Sequence, residues 1–197
     1  MTPFTSETGR IAILDRTDVD TDQIIPKQFL KRIERTGYGE FLFNDWRYDE
    51  NGAERPGFEL NRPEFGGASI LLTGRNFGCG SSREHAAWAL SDYGFRVVIA
   101  PSFGDIFRTN AGKNGMVVIA LPDEEVKRLM EGVDLDRGSE LTVDLERCVV
   151  VGPEGREIPF TFDEATRHRL LHGLDEIALT LAHEDAIAAY ETAHGIA

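Results

Sequence analysis

ASILLTGRNFGCGSSREHAAWALSDYGFRVVIAP, residues 68–101, decides the fold. It opens on an apolar run, ASILLTG (68–74), crosses a glycine-rich loop, turns helical near 81–93 and returns to a second apolar run, RVVIAP (96–101). Runs that are apolar on both faces suit strands inside a sheet that helices cover. Strand, helix, strand is a βαβ unit, so the two strands are predicted to lie parallel.

The same grammar extends outward. GRIAIL (9–14) and MVVIAL (116–121) read as two further strands, with helices over 103–111 and after Pro122 in DEEVKRLM. The period then changes: ELTVDLERCVVVGPEGREIPFTF (140–162) alternates apolar and polar residues and turns at Gly152–Gly155, the pattern of antiparallel strands. From Asp163 the chain is helical, with an interruption at Gly173. Residues 37–67 carry repeated Gly and Pro and read as a long irregular excursion, a length that marks functional or disordered loops. The expectation is a single α/β domain over 1–197, with a largely parallel sheet core, flanking helices and an added antiparallel β portion.

Composition narrows the function. With 197 residues, 41% of them hydrophobic, the chain can bury a real core. Its formal net charge of -13 repels phosphate backbones and argues against nucleic acid. Cys79 and Cys148 make neither a disulfide framework nor a cysteine-rich metal site. The start, MTPFTSETGR, lacks a signal-peptide pattern, and no apolar run approaches the ~20 residues of a membrane span. A cytoplasmic, reducing setting is expected, with no membrane partner.

The glycine loop carries the chemistry. Ser81-Ser82-Arg83-Glu84 fits a capping box, with Ser81 at the N-cap and Glu84 three residues on. Gly78 and Gly80 let backbone approach a ligand, the helix start offers N–H groups to an anion, and Arg83 adds a planar fork for a carboxylate. The loop lacks the third glycine of a dinucleotide fingerprint and the Gly-Lys-Ser/Thr step of a P-loop. A small carboxylate is therefore expected rather than a nucleotide. The same N–H groups would stabilise an alkoxide, making Ser81 a candidate base.

GSSREHA after a strand, DTDQIIP followed by FLKR near the N-terminus, SFGDIFRTNAGKNG (102–115) and the closing GLDEIALTL together resemble one family. It is that of 3-isopropylmalate dehydratase small subunits, the swivelling fourth-domain piece of the aconitase superfamily. The resemblance implies a swivelling β/β/α domain and half of a hydro-lyase of leucine biosynthesis, which interconverts 2- and 3-isopropylmalate by dehydration and rehydration. It further implies that Ser81 moves the proton at the carbon alpha to a carboxylate. Arg83 then grips a substrate carboxylate, Ser82 shapes the pocket, and the segment after IIP (Phe29, Leu30, Lys31) faces the substrate's variable end. A 4Fe-4S cluster would be held by a separate large subunit, and this chain would bind no metal. Sister hydro-lyases acting on homocitrate, citraconate (methylmalate) or dimethylmalate share these motifs, and a non-catalytic carboxylate-binding scaffold of the same fold is the alternative of another class.

Other residues read more plainly. His168 and His172 have paired-ligand spacing, but Arg169 stands where a zincin has Glu, so a solvated pair is expected. Asp18, Asp20 and Asp22 alternate like calcium ligands without the Gly and terminal Glu of an EF-hand, and read as turn chemistry. Cys79 reads as a small buried filler and His85 as packing or support for the site. Lys31, Arg32 and Arg35 read as a solvated face, and Asn110, Lys113 and Asn114 as a helix end. The segment Phe29–Tyr38 is expected to gain its apolar contacts only on docking.

Overall fold

Four short β-branched and leucine-rich runs build the parallel part of a seven-stranded sheet of order β4-β3-β2-β1-β5-β6-β7. The computed structural model describes residues 1–196 apart from 33, 35 and 135–138. The strands are β1 (Ser6–Leu14), β2 (Ile70–Thr73), β3 (Val97–Ala100), β4 (Val117–Ala120), β5 (Glu140–Asp144), β6 (Val149–Val151) and β7 (Glu157–Pro159). Strands β1 to β4 pair in parallel, and β5 to β7 continue the sheet antiparallel from the other side of β1. Strand β1 changes partner along its length: Ser6–Arg10 pairs with β5 and Ile11–Leu14 with β2.

The helices are α1 (Thr21–Ile24), α2 (Asn44–Arg47), α3 (Glu84–Tyr93), α4 (Asp105–Lys113), α5 (Asp123–Glu131), α6 (Glu164–His172), α7 (Glu176–Leu181) and α8 (Glu184–His194). Helices α3 and α4 cover one face and α5 and α6 the other, whereas α7 and α8 bury no described residue. Alternation along the strands divides the apolar side chains between two cores. Ala12, Leu14, Leu71 and Val98 meet Ala86 and Leu90 of α3 and Phe107 of α4 on one face. Ile11, Ile70, Leu72, Val97 and Ile99 meet Val126 and Leu129 of α5 and Leu170 of α6 on the other. Because β2 and β3 are buried at every position, their sequences carry no polar alternation. Among the described residues, no helix is long and apolar enough to cross a membrane.

One expectation is sharpened and one corrected. The excursion over 37–67 is irregular, as expected, but it is anchored rather than disordered. It forms α2 and short 3-10 turns, and it buries Tyr38, Leu42, Phe43, Phe58, Leu60 and Phe65 in the first core. Arg47, 8% exposed, ties it together through Asn61 (3.2 Å), Glu54 (3.4 Å) and the Gly39 carbonyl (3.5 Å). Glycine and proline there set tight turns between anchors rather than freedom. The antiparallel portion, in turn, has two turns: besides the one at 152–155, residues 145–148 reverse the chain between β5 and β6, with Cys148 at φ +54°. Neither glycine nor proline marks that turn. A cysteine takes the left-handed position instead.

Candidate functional site

Parallel strands end together, so the loops that follow β1, β2 and β3 gather at one edge of the sheet, the usual place for a ligand in an open α/β fold. Backbone bonds sew these loops to one another. Gly78 N–H donates to Val19 O (2.7 Å), Thr21 N–H to Cys79 O (2.9 Å) and Phe77 N–H to Ser102 O (3.1 Å). Thr21 Oγ1 donates to the Ser81 carbonyl at 2.9 Å. The DTDQIIP and GSSREHA motifs, far apart in sequence, are therefore one structure.

Two glycines make that contact possible. At Gly78 (φ +71°) an added Cβ would lie 2.2 Å from Phe107 Cγ, and at Gly80 (φ +88°) 2.6 Å from the Asp20 carboxylate. Left-handed backbone and close approach both demand glycine here.

The capping box expected at Ser81 does not form. Helix α3 begins at Glu84 and its N-cap residue is Arg83, whose side chain makes no capping bond. The Ser81 carbonyl is held by Thr21, and the Arg83 guanidinium (side chain 11% exposed) is ion-paired through Nη1 with Asp22. These outside ties pull 81–83 away from the helical path. A capping box forms instead at α1, where Asp20 caps the helix and the Gln23 side chain accepts from the Asp20 N–H at 2.8 Å. The three aspartates thus have separate tasks: Asp18 accepts from Asn76 Nδ2 (2.8 Å), Asp20 caps α1 and Asp22 holds Arg83, with Lys27 3.7 Å from its second oxygen.

Because no side chain caps α3 among the described residues, the N–H groups of its first turn stay open beside Ser81. Ser81 and Ser82 are exposed, on the open side of the loop. This edge offers hydroxyls, a helix N-terminus and an arginine oriented by a carboxylate. Such a set can hold a carboxylate and steady an oxyanion, but it exposes both to water.

The neighbouring residues are quieter. Burial, with Asp20 and Asp18 adding to it, pushes the Cys79 thiol up, so it stays protonated as a filler does. Burial holds the His85 imidazole below its usual range, against Tyr38 (5.3 Å between ring centroids) and Trp88 (4.6 Å). Asn114 ends α4 and accepts from the Trp88 indole N–H at 2.9 Å, which ties the end of α4 to helix α3. His168 and His172 are exposed neighbours, their rings 4.3 Å apart.

Phe29, Leu30 and Lys31 lie on the 3-10 turn Lys27–Lys31, whose first residue reaches Asp22. Lys31 is exposed, but Phe29 and Leu30 already pack on the first core, with Phe29 stacked on Phe41 at 4.1 Å and Tyr38 fully buried. The segment therefore has apolar contacts within the chain and does not wait for a partner to supply them. Arg32 pairs with Glu40 (3.3 Å), whereas Arg35 of the basic run lies outside the described residues. Sequence reasoning passed over the tie from Asp22 to Arg83. The signal available was an acidic residue inside DTDQ with no local cation nearer than Lys27.

The resident donors do not fit an iron–sulfur cluster. Both cysteines are free, they belong to separate loops, and among the described residues no three His, Cys, Asp or Glu side chains gather as metal ligands.

Comparison with known proteins identifies the family of the chain. Residues 1–124 match the aconitase C-terminal domain family, and 176–194 match the family of the C-terminal domain of the 3-isopropylmalate dehydratase small subunit. A 3-isopropylmalate dehydratase small subunit of Rhodopirellula baltica is 60% identical over 99% of this chain and 100% of its own. One from Bacillus subtilis is 56% identical over 98% and 96%. The crystal structure of a 3-isopropylmalate dehydratase from Methanocaldococcus jannaschii superposes with a TM-score of 0.66 at 27% identity, covering 94% of this chain and 99% of that one. The chain belongs to the family of 3-isopropylmalate dehydratase small subunits, within the aconitase superfamily.

Proposed function

We propose that this chain supplies the proton-handling half of a cytoplasmic 3-isopropylmalate dehydratase, a hydro-lyase that moves the hydroxyl between neighbouring carbons of isopropylmalate. One observation carries the reading: Thr21 and Asp22 hold the loop of Ser81 and Arg83 against α1, leaving Ser81 exposed at an uncapped helix start.

Arg83, aimed by Asp22, holds a substrate carboxylate through its free N–H groups. Ser81 takes the proton from the adjacent carbon as the double bond forms and returns a proton when water re-adds. A serine does this only if its alkoxide is stabilised, which the open N–H groups of α3 favour once water is excluded. Exposed as Ser81 is, the exclusion must come from a covering surface, and a large-subunit partner fits that need. Ser82 lines the same pocket, and Phe29, Leu30 and Lys31 sit nearest the substrate's variable end.

A 4Fe-4S cluster would act as Lewis acid on the leaving hydroxyl. Since this chain's donor set does not fit one, we assign the cluster to the large subunit.

The test is reconstitution. The purified chain is expected to be colourless and inactive with 2-isopropylmalate, and to give turnover when mixed anaerobically with the cognate large subunit. Turnover by this chain alone, at full rate and free of iron, would overturn the division of labour.

A further inference from the structure

A second group of cations lies away from Ser81, between α4 and α6. Gly112 lets these helices approach: a Cβ there would meet the Thr166 methyl at 2.8 Å. Beside that contact is a cavity of about 270 Å³, bounded by the charged residues Arg108, Lys113, Asp163 and Arg169 and by an apolar wall of Met116, Val118 and Phe162.

Its charges are unequally satisfied. Lys113 is paired with Glu176 at 2.7 Å, and Asp163 accepts from the Thr166 amide and hydroxyl at 2.8 and 2.7 Å. Arg169 feels the Glu176 carboxylate only through space and makes no hydrogen bond to it among the described residues. Its Nε and Nη2 are buried, and among the described residues no acceptor reaches either. Arg108 also makes no ion pair among the described residues. The Thr166 hydrogen bonds hold the Asp163 carboxyl below its usual range, and the Arg108 charge adds to that through space.

A buried, unanswered guanidinium edge is costly and uncommon in a folded protein. This edge is also a specific one. Nε and Nη2 form the side by which an arginine takes a carboxylate with two parallel bonds, as Arg16 does with Glu59 at 3.1 and 2.9 Å elsewhere in the chain. Since nothing holds the Arg169 edge, a turn of the side chain presents it to the cavity. In a protein of net charge -13 the cavity is a local reversal of sign: three cations stand in its wall against Asp163, and Glu176, from outside the lining, answers Lys113. The apolar wall argues against a bare inorganic anion, and the volume admits only a small ligand.

We propose that this cavity is a second binding site, separate from the Ser81 edge, for a small carboxylate with a short aliphatic body. Arg169 and Arg108 hold the carboxylate, and Met116, Val118 and Phe162 contact the body.

Calorimetric titration of the full chain with pentanoate tests it, with acetate and inorganic phosphate as comparison ligands. The expected result is saturable one-to-one binding of pentanoate, weaker binding of acetate and phosphate, and a loss of roughly tenfold or more in affinity in Arg169→Gln and in Arg108→Gln. Arg83→Gln should leave the affinity unchanged. Arg108 is exposed, so its variant keeps the test valid should Arg169→Gln melt early. Absence of saturable binding, phosphate binding as tightly as pentanoate, or binding that survives Arg108→Gln but fails in Arg83→Gln would each overturn the proposal. So would a cavity that binds no small carboxylate but whose Arg108→Gln variant loses affinity for the large subunit, since that assigns the cations to subunit docking.

Discussion

The starts of α1 and α3 meet at one edge of the sheet and are held in opposite ways. At α1 the chain closes its own helix end, with Asp20 and Gln23 answering each other's backbone. At α3 the end is left open: Arg83 gives the helix nothing, and the approach to it is fixed from outside by Thr21 and Asp22. The closed end is scaffold: Asp20 and Gln23 answer its own backbone, while Thr21 and Asp22 reach across to the loop of Ser81 and Arg83. The open end leaves hydroxyls and N–H groups without a side-chain cap, and the ties from Thr21 and Asp22 set its position. Position is supplied by one motif and reactivity by the other.

That division can be broken at graded points, beginning with the largest expected effect on stability. Gly78→Ala forces a side chain onto left-handed backbone and into the Phe107 ring, so it should cost roughly 2–5 kcal/mol. A thermal melt should fall by roughly 5 °C or more. Asp20→Ala removes a cap that is made, costing about 1 kcal/mol and ~2–4 °C in the same melt. Asp22→Asn keeps an oxygen for Arg83 but not its charge. The melt should move less than for Asp20→Ala, while KM for 2-isopropylmalate rises in the reconstituted enzyme because the guanidinium is no longer aimed. A KM left unchanged would separate the Asp22 tie from substrate binding.

Much of this was legible in sequence, and the failures share a cause. The runs at 70–73, 97–100 and 117–120 announce themselves because strands buried on both faces must be apolar throughout. The pattern at Ser81-Ser82-Arg83-Glu84 misleads because a local rule cannot see Thr21 and Asp22, which are remote in sequence and decisive in space. The irregularity of 37–67 was legible from its Gly and Pro, but not that it is anchored, since Phe43 and Leu60 among its anchors follow no helix or strand period. The cavity at Arg169 had no local signature at all, since α4 and α6 meet only in the fold. The assignment of Ser81 and Arg83, by contrast, rests on the resemblance that GSSREHA carries and not on the cap. The reading of chemistry did not depend on it.

The central claim is that Ser81 serves chemistry and not the helix. Its most direct test measures turnover and melting together for Ser81→Ala in the enzyme reconstituted with its large subunit. With no cap bond to lose, the variant should melt within about 1 °C of the parent, well short of the drop expected for a lost cap. Turnover of 2-isopropylmalate should fall by ~10²–10⁴-fold, the contribution of a positioned acid–base group. A melt lowered by several degrees with turnover near that of the parent would contradict the account and return Ser81 to the role of a helix cap.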